Sequence, residues 1–169
     1  MLLVNNGRQA WKLVDGREAT SEEDRNQARN ATFGSHYVFA MPFKLTDPGV
    51  RLEYAGHAKL ADGTETQRIL VTYEKGAGDA GGLHTWTYSF DEKTGRLAAN
   101  HLNYAPGKYD FTEYLDDRMF EDLRLASRRL GYNADESGKT GPKISETLYE
   151  DIQFNVELPE SLFAPPAAK

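Results

Sequence analysis

Six carboxylate side chains crowd one stretch of this sequence, where oxygens brought together could bind a hard cation or carry out acid/base chemistry. They are Asp110, Glu113, Asp116, Asp117, Glu121 and Asp122. The stretch lacks the D-x-D-x-D-G spacing of a calcium loop. The favoured interpretation is therefore a solvated strand face with a charged turn. A small-substrate enzyme or cation-binding protein that uses Asp116, Asp117, Glu121 and Asp122 stays as the alternative.

The four histidines are the other candidates for metal ligands. None forms an H-x-H or H-x-x-x-H pair, but His84 and His101 fall on strands predicted to be neighbours and could face each other across them. Residues 138–140, GKT, resemble the end of a phosphate-binding loop, yet the glycine required five residues earlier is Asn133. The sequence also lacks cysteine and a G-x-S-x-G element. We therefore favour a non-enzymatic protein and expect no catalytic residue, cofactor or metal.

A strand-like stretch places a large ring at every second residue. Trp86, Tyr88 and Phe90 alternate with hydroxyl side chains over residues 83–90, which is the period of a half-buried strand. The turn that follows ends in Gly95, and glycine can close a short hairpin loop. The rings either pack as core or leave a cavity for an apolar ligand. In the second case the predicted lining is Trp86, Tyr88, Phe90, Leu70, Tyr37 and Met41.

The elements that position these residues are mainly strands joined by tight turns. With 169 residues the chain fits a single domain over residues 1–169, with a flexible tail at 164–169. A net charge of −6 without a dense basic patch argues against a nucleic-acid partner. The sequence predicts a mainly β (α+β) fold. It is a curved antiparallel meander sheet, or half-barrel, with one helical segment near residues 21–41 packed on its concave face.

Local signals predict where the elements begin and end. A capping box at Thr20 and Glu23 starts the helix near residue 21, Gly34 is a candidate for a kink, and Pro42 ends the helix. Strands are predicted at residues 2–6, 9–14, 50–59, 64–75, 83–90 and 96–104. Beyond them, the pattern predicts strands at residues 109–116, 119–125, 128–133 and 143–154.

Four segments carry a resemblance to a known family. They read WKLVDGRE (residues 11–18), FAMPFKLTDPGVRL (39–52), YSFDEKTGRL (88–97) and YEDIQFNVELPESLFAP (149–165). Together they are similar to uncharacterised bacterial envelope proteins related to the outer-membrane lipoprotein carriers, the LolA/LolB-like superfamily. The resemblance implies a curved half-barrel whose concave face is covered by helices and holds acyl chains. It also implies that an N-terminal portion of such relatives is missing here, and the carriers' functional arginine has no matching position.

We therefore predict non-enzymatic binding of an apolar ligand or lipid acyl chain in the concavity of the sheet. A structural or interaction module with a filled core is a further alternative. The sequence shows no transmembrane run and no signal peptide, so a place in the periplasm or cell envelope rests on the resemblance. The strand at residues 2–6 lacks proline and charge, and such an edge favours pairing with a second copy. A homodimer through this strand is one predicted assembly.

Overall fold

The computed structural model describes residues 1–78 and 80–164, which group into two compact units. The first unit combines Met1–Lys44 with Asn155–Lys169, and the second is Leu45–Phe154. Of the predicted flexible tail, only Ala164 lies within the described residues. That the chain forms one domain stays a prediction.

The first unit contains a three-stranded antiparallel sheet and a long helix. Its elements are β1 (Leu2–Asn5), β2 (Ala10–Val14), β3 (Arg17–Ala19), α1 (Glu22–Phe39) and a terminal 3₁₀ turn at Glu160–Phe163. Val4 on β1 lies opposite Trp11 on β2, and both side chains are buried. The predicted first hairpin forms because these two residues share the face that is removed from water. Among the described residues β1 is an edge strand, and the homodimer through it stays a prediction.

Helix α1 begins one residue later than the capping box predicted. Its N-cap is Ser21, whose side chain accepts a hydrogen bond from the backbone N–H of Asp24, so the prediction of Thr20 as the cap is wrong. Asp24 also forms an ion pair with Lys12 of β2 at 2.7 Å, which holds the pKa of Asp24 below its usual value. The helix continues through Gly34 and ends at Phe39, three residues before Pro42. A 3₁₀ turn at Met41–Thr46 follows it.

The second unit is a seven-stranded antiparallel meander in which each strand pairs with the next along the chain. The strands are β4 (Val50–Lys59), β5 (Glu65–Tyr73), β6 (Thr85–Asp91), β7 (Leu97–Ala105), β8 (Lys108–Phe120), β9 (Leu123–Ala134) and β10 (Thr140–Leu148). The edge strands β4 and β10 do not pair with each other, so the sheet is open. The predicted mainly β fold, built from consecutive hairpins, is confirmed.

Residues 108–148 fold differently from the sequence prediction. Instead of three short strands, β8 and β9 form one long hairpin that turns at Glu121 and Asp122. Asp116, where a break was predicted, takes a left-handed φ of 55° within β8, and Ser127 Oγ donates a hydrogen bond of 2.6 Å to its carbonyl oxygen. The strand therefore continues through this residue. The last strand ends at Leu148, so the prediction that it extends to residue 154 is wrong.

The sheet of the second unit curls strongly. The tip of the β4–β5 hairpin (residues 58–61) and the tip of the β9–β10 hairpin (residues 136–140) belong to opposite edges, yet both line one pocket of about 400 Å³. This pocket lies on the side of the sheet that carries Thr87 and Ser89. Accumulated strand twist brings diagonal corners of a sheet toward the same side. The predicted curvature is therefore confirmed.

Candidate functional site

The predicted aromatic row forms a ladder of rings on β6. The ring centroids of Trp86 and Tyr88 lie 6.2 Å apart, and those of Tyr88 and Phe90 lie 6.3 Å apart. Trp86 is 4% exposed and Tyr88 is 0% exposed, whereas Phe90 is half-buried. Val71 of β5, directly opposite Trp86, is also fully buried. Trp86 and Tyr88 are therefore packed as interior side chains, and contact of the three rings with a ligand stays a prediction.

Leu70 does not belong to this row. The register of β5 and β6 pairs Leu70 with Thr87, and directly opposed residues of an antiparallel pair project to the same face. Leu70 therefore projects away from the Trp86 side, and its inclusion in the same lining is wrong. The physical reason is the strand period of 2, which places Ile69 and Val71 beside the rings instead.

Tyr37 and Met41, the other two predicted lining residues, lie in the first unit. Tyr37 is 2% exposed on α1, where its ring stacks on Phe33 with centroids 6.3 Å apart. Met41 is fully buried at the start of the 3₁₀ turn that follows α1. Their role as ligand contacts stays a prediction.

Three of the four carboxylates of the alternative site have partners in the protein. Asp117 forms an ion pair with Arg96, and Asp116 lies 3.5 Å from Arg128. Glu121 accepts a hydrogen bond from a backbone N–H at 3.1 Å. In residues 1–78 and 80–164, no group of three or more histidine, aspartate or glutamate side chains is placed to hold a metal ion. These contacts are those of a charged surface hairpin.

His84 and His101 do not face each other. His101 pairs with Thr87 across the sheet, whereas the ring of His84 packs against the edge of Trp86 with centroids 6.3 Å apart. The two histidines thus lie on opposite sides of the sheet. The ring of His101 stacks on Tyr109 at 5.3 Å. The histidine pair that the sequence left conceivable does not form, because the register of β6 and β7 places His101 opposite Thr87.

A polar cluster on β7, β8 and β9 is also a packing feature. Asn100 is 1% exposed, and its Nδ2 donates a 2.7 Å hydrogen bond to the hydroxyl oxygen of Tyr114. Burial raises the pKa of Tyr114 well above its usual value. Arg129 lies over the ring of Tyr149, 4.8 Å from its centroid. Because Tyr114 stays protonated, it serves as a hydrogen-bond partner and not as a base.

An open groove of about 880 Å³ lies within the first unit. Its walls are β1 with the turn into β2, one face of α1, and the turn Glu160–Phe163. The apolar lining consists of Leu2, Leu3, Val4, Ala10, Phe33, Leu162 and Phe163. The larger side chains remain open to water, since Leu2, Phe33 and Leu162 are 56%, 43% and 57% exposed. A contiguous apolar surface of this kind is typical of a binding site.

The helical wall follows from the spacing of four residues. Three residues follow Arg29 at distances of three, four and seven positions, namely Thr32, Phe33 and His36. All four therefore lie on one face of α1. Thr32 Oγ1 accepts a 3.1 Å hydrogen bond from Asn5 Nδ2 of β1 and donates one of 2.7 Å to a backbone carbonyl of α1. These bonds fix β1 against the helix. The groove is therefore bounded by two elements that are tied together.

Comparison with known proteins identifies the fold. No family model and no curated protein matches the sequence. A crystal structure of a LolA superfamily protein from Nitrosomonas europaea is similar, with a TM-score of 0.57 and 11% identity over 96% of this chain and 69% of that one. The protein thus has a LolA-like fold. Within the described residues, no helix has both the length and the apolar character needed to cross a membrane.

Proposed function

We propose that this protein binds an apolar ligand, the acyl chain of a lipid, without catalysing a reaction. The observation that carries the proposal is the open groove in the first unit, with apolar side chains on all three of its walls. Its volume of about 880 Å³ falls in the range of about 300–1,000 Å³ that is typical of small-molecule sites. Filling it would remove the exposed surfaces of Leu2, Phe33 and Leu162 from water, which favours binding.

The LolA-like fold supports the same class of ligand. The resemblance to lipoprotein carriers implies acyl chains as ligands and the bacterial cell envelope as the location. Both are therefore part of the proposal. In this proposal the ligand contacts β1, α1 and the turn Glu160–Phe163, which line the groove, whereas the sequence analysis favoured the aromatic row. The residues predicted from the sequence, Trp86, Tyr88 and Phe90 of the second unit and Tyr37 and Met41 of the first, stay candidate contacts for the same class of ligand.

Binding of the neutral apolar dye N-phenyl-1-naphthylamine is expected to be saturable and to require Phe33. Phe33→Asp places a carboxylate on the apolar wall, where its desolvation disfavours binding. We expect the dissociation constant to rise by about tenfold or more, because desolvating a carboxylate in place of an apolar ring costs more than about 1.4 kcal/mol. Dye fluorescence, titrated with the full chain, measures the change.

The matched control is Leu83→Asp, because Leu83 is 82% exposed and does not line the groove. This variant should bind the dye as the parent protein does, and thermal melts should show that both variants fold. Equal binding by all three proteins would place the dye elsewhere, and absence of saturable binding would contradict the proposed function.

A further inference from the structure

The polar rim of the groove carries charge of one sign only. Among the described residues, the lining includes the side chains of Arg8, Arg29 and His36 but no aspartate or glutamate. Arg8 and Arg29 are both exposed at the groove. The whole chain, in contrast, has 26 acidic against 20 basic residues. A basic rim on an acidic protein is therefore a local feature, and it lies beside the apolar walls.

Neither arginine has an anionic partner among the described residues. In the part of the chain that the structure describes, the guanidinium groups of Arg8 and Arg29 form no ion pair. Glu160 lines a neighbouring pocket together with Arg8 but makes no ion pair with it. Lys12 of the same unit, in contrast, forms an ion pair with Asp24. Two guanidinium groups at one groove therefore keep their donors available.

We infer that the ligand of the groove is a single-chain amphiphile with an anionic head group, a carboxylate or a phosphate. This inference rests on the proposed function. Arginine presents paired N–H donors that match both head groups, whereas the apolar walls accept the chain. Electrostatic attraction also draws an anionic ligand to the rim from solution. The volume of the groove is sufficient for one ligand of the size of a single acyl chain.

The test compares ligands with the same twelve-carbon chain and different head groups, namely laurate, methyl laurate, dodecyl phosphate and dodecylamine. Each displaces N-phenyl-1-naphthylamine from the full chain at low ionic strength. We expect laurate and dodecyl phosphate to bind about tenfold more tightly than methyl laurate, which is the effect of two exposed ion pairs. Dodecylamine should bind more weakly than the ester. Raising the salt concentration should reduce both the preference for the anions and the discrimination against dodecylamine, whereas the affinity for methyl laurate should not fall.

The double variant Arg8→Gln/Arg29→Gln should reduce the preference for laurate from about tenfold to about twofold and leave methyl laurate unchanged. Arg25→Gln is the control, because Arg25 is exposed on the same helix and does not line the groove.

Inorganic phosphate should fail to displace the dye. If it displaces the dye as effectively as dodecyl phosphate does, the requirement for a chain is overturned. Equal affinity for laurate and its ester would overturn the inference and leave the proposed function standing. If no chain-bearing compound displaces the dye, the proposed function itself fails.

Discussion

Replacing Trp86 with alanine is expected to lower the free energy of unfolding by about 3–5 kcal/mol, the range for truncating a buried tryptophan. Trp86 is 4% exposed and packs edge to face between the rings of His84 and Tyr88. Its Nε1 has no hydrogen-bond partner among the described residues, so the loss consists of packing and burial. Urea denaturation followed by circular dichroism measures the change.

Leu83→Ala is the matched control, three residues away on the same segment. Leu83 is 82% exposed, so its truncation should change the free energy of unfolding by less than about 0.5 kcal/mol. A near-neutral result for Trp86→Ala would mean that its ring lines an open cavity, as the sequence had left open. A large loss would confirm that the Trp86 end of the row is core.

Gly82→Ala is expected to destabilise the protein by about 2–3 kcal/mol, because two penalties combine at this position. Gly82 has a φ of +94°, which side chains of L-residues rarely adopt. An added Cβ would also lie 2.6 Å from the carbonyl oxygen of Glu74, which is backbone and not a movable side chain. The loop between β5 and β6 must therefore shift. Thermal and urea unfolding measure the effect.

The adjacent glycine separates the two penalties. Gly81 has a φ of +64°, but an added Cβ there would meet no atom within 4 Å. Gly81→Ala should therefore cost only about 1 kcal/mol, from backbone strain alone. Equal losses in the two variants would show that the close approach to Glu74 has no energetic effect.

The hairpins of the second unit were predictable because their signals are local. A period of 2, as in Trp86, Tyr88 and Phe90, and a glycine such as Gly95 at the turn are both readable from neighbouring residues. The long hairpin of β8 and β9 was not predictable in this way, because Asp116 resembles a turn residue that would end a strand. Its unusual φ is accommodated inside the strand, where Ser127 bonds to its carbonyl oxygen across the sheet. Tertiary contacts of this kind override local propensity.

The groove was less accessible to sequence reasoning because its walls come from distant segments. The apolar run Leu2, Leu3 and Val4 and the stripe that begins at Phe33 were visible as local patterns. Nothing in the sequence indicates that the turn Glu160–Phe163 joins them, or that the helix face with Arg29 and Phe33 lies toward β1. Leu70 was misplaced for a related reason, since the face of a strand residue depends on register with its neighbour.

Photocrosslinking with a fatty acid that carries a diazirine on its chain tests the proposed site most directly. After irradiation with the full chain, peptide mass spectrometry locates the labelled residues. We predict label on β1, on α1 around Phe33 and on the turn Glu160–Phe163, reduced by excess laurate and by Phe33→Asp. Two results would contradict the account. One is label on β5 and β6 that excess laurate removes, and the other is label that laurate does not reduce at any position.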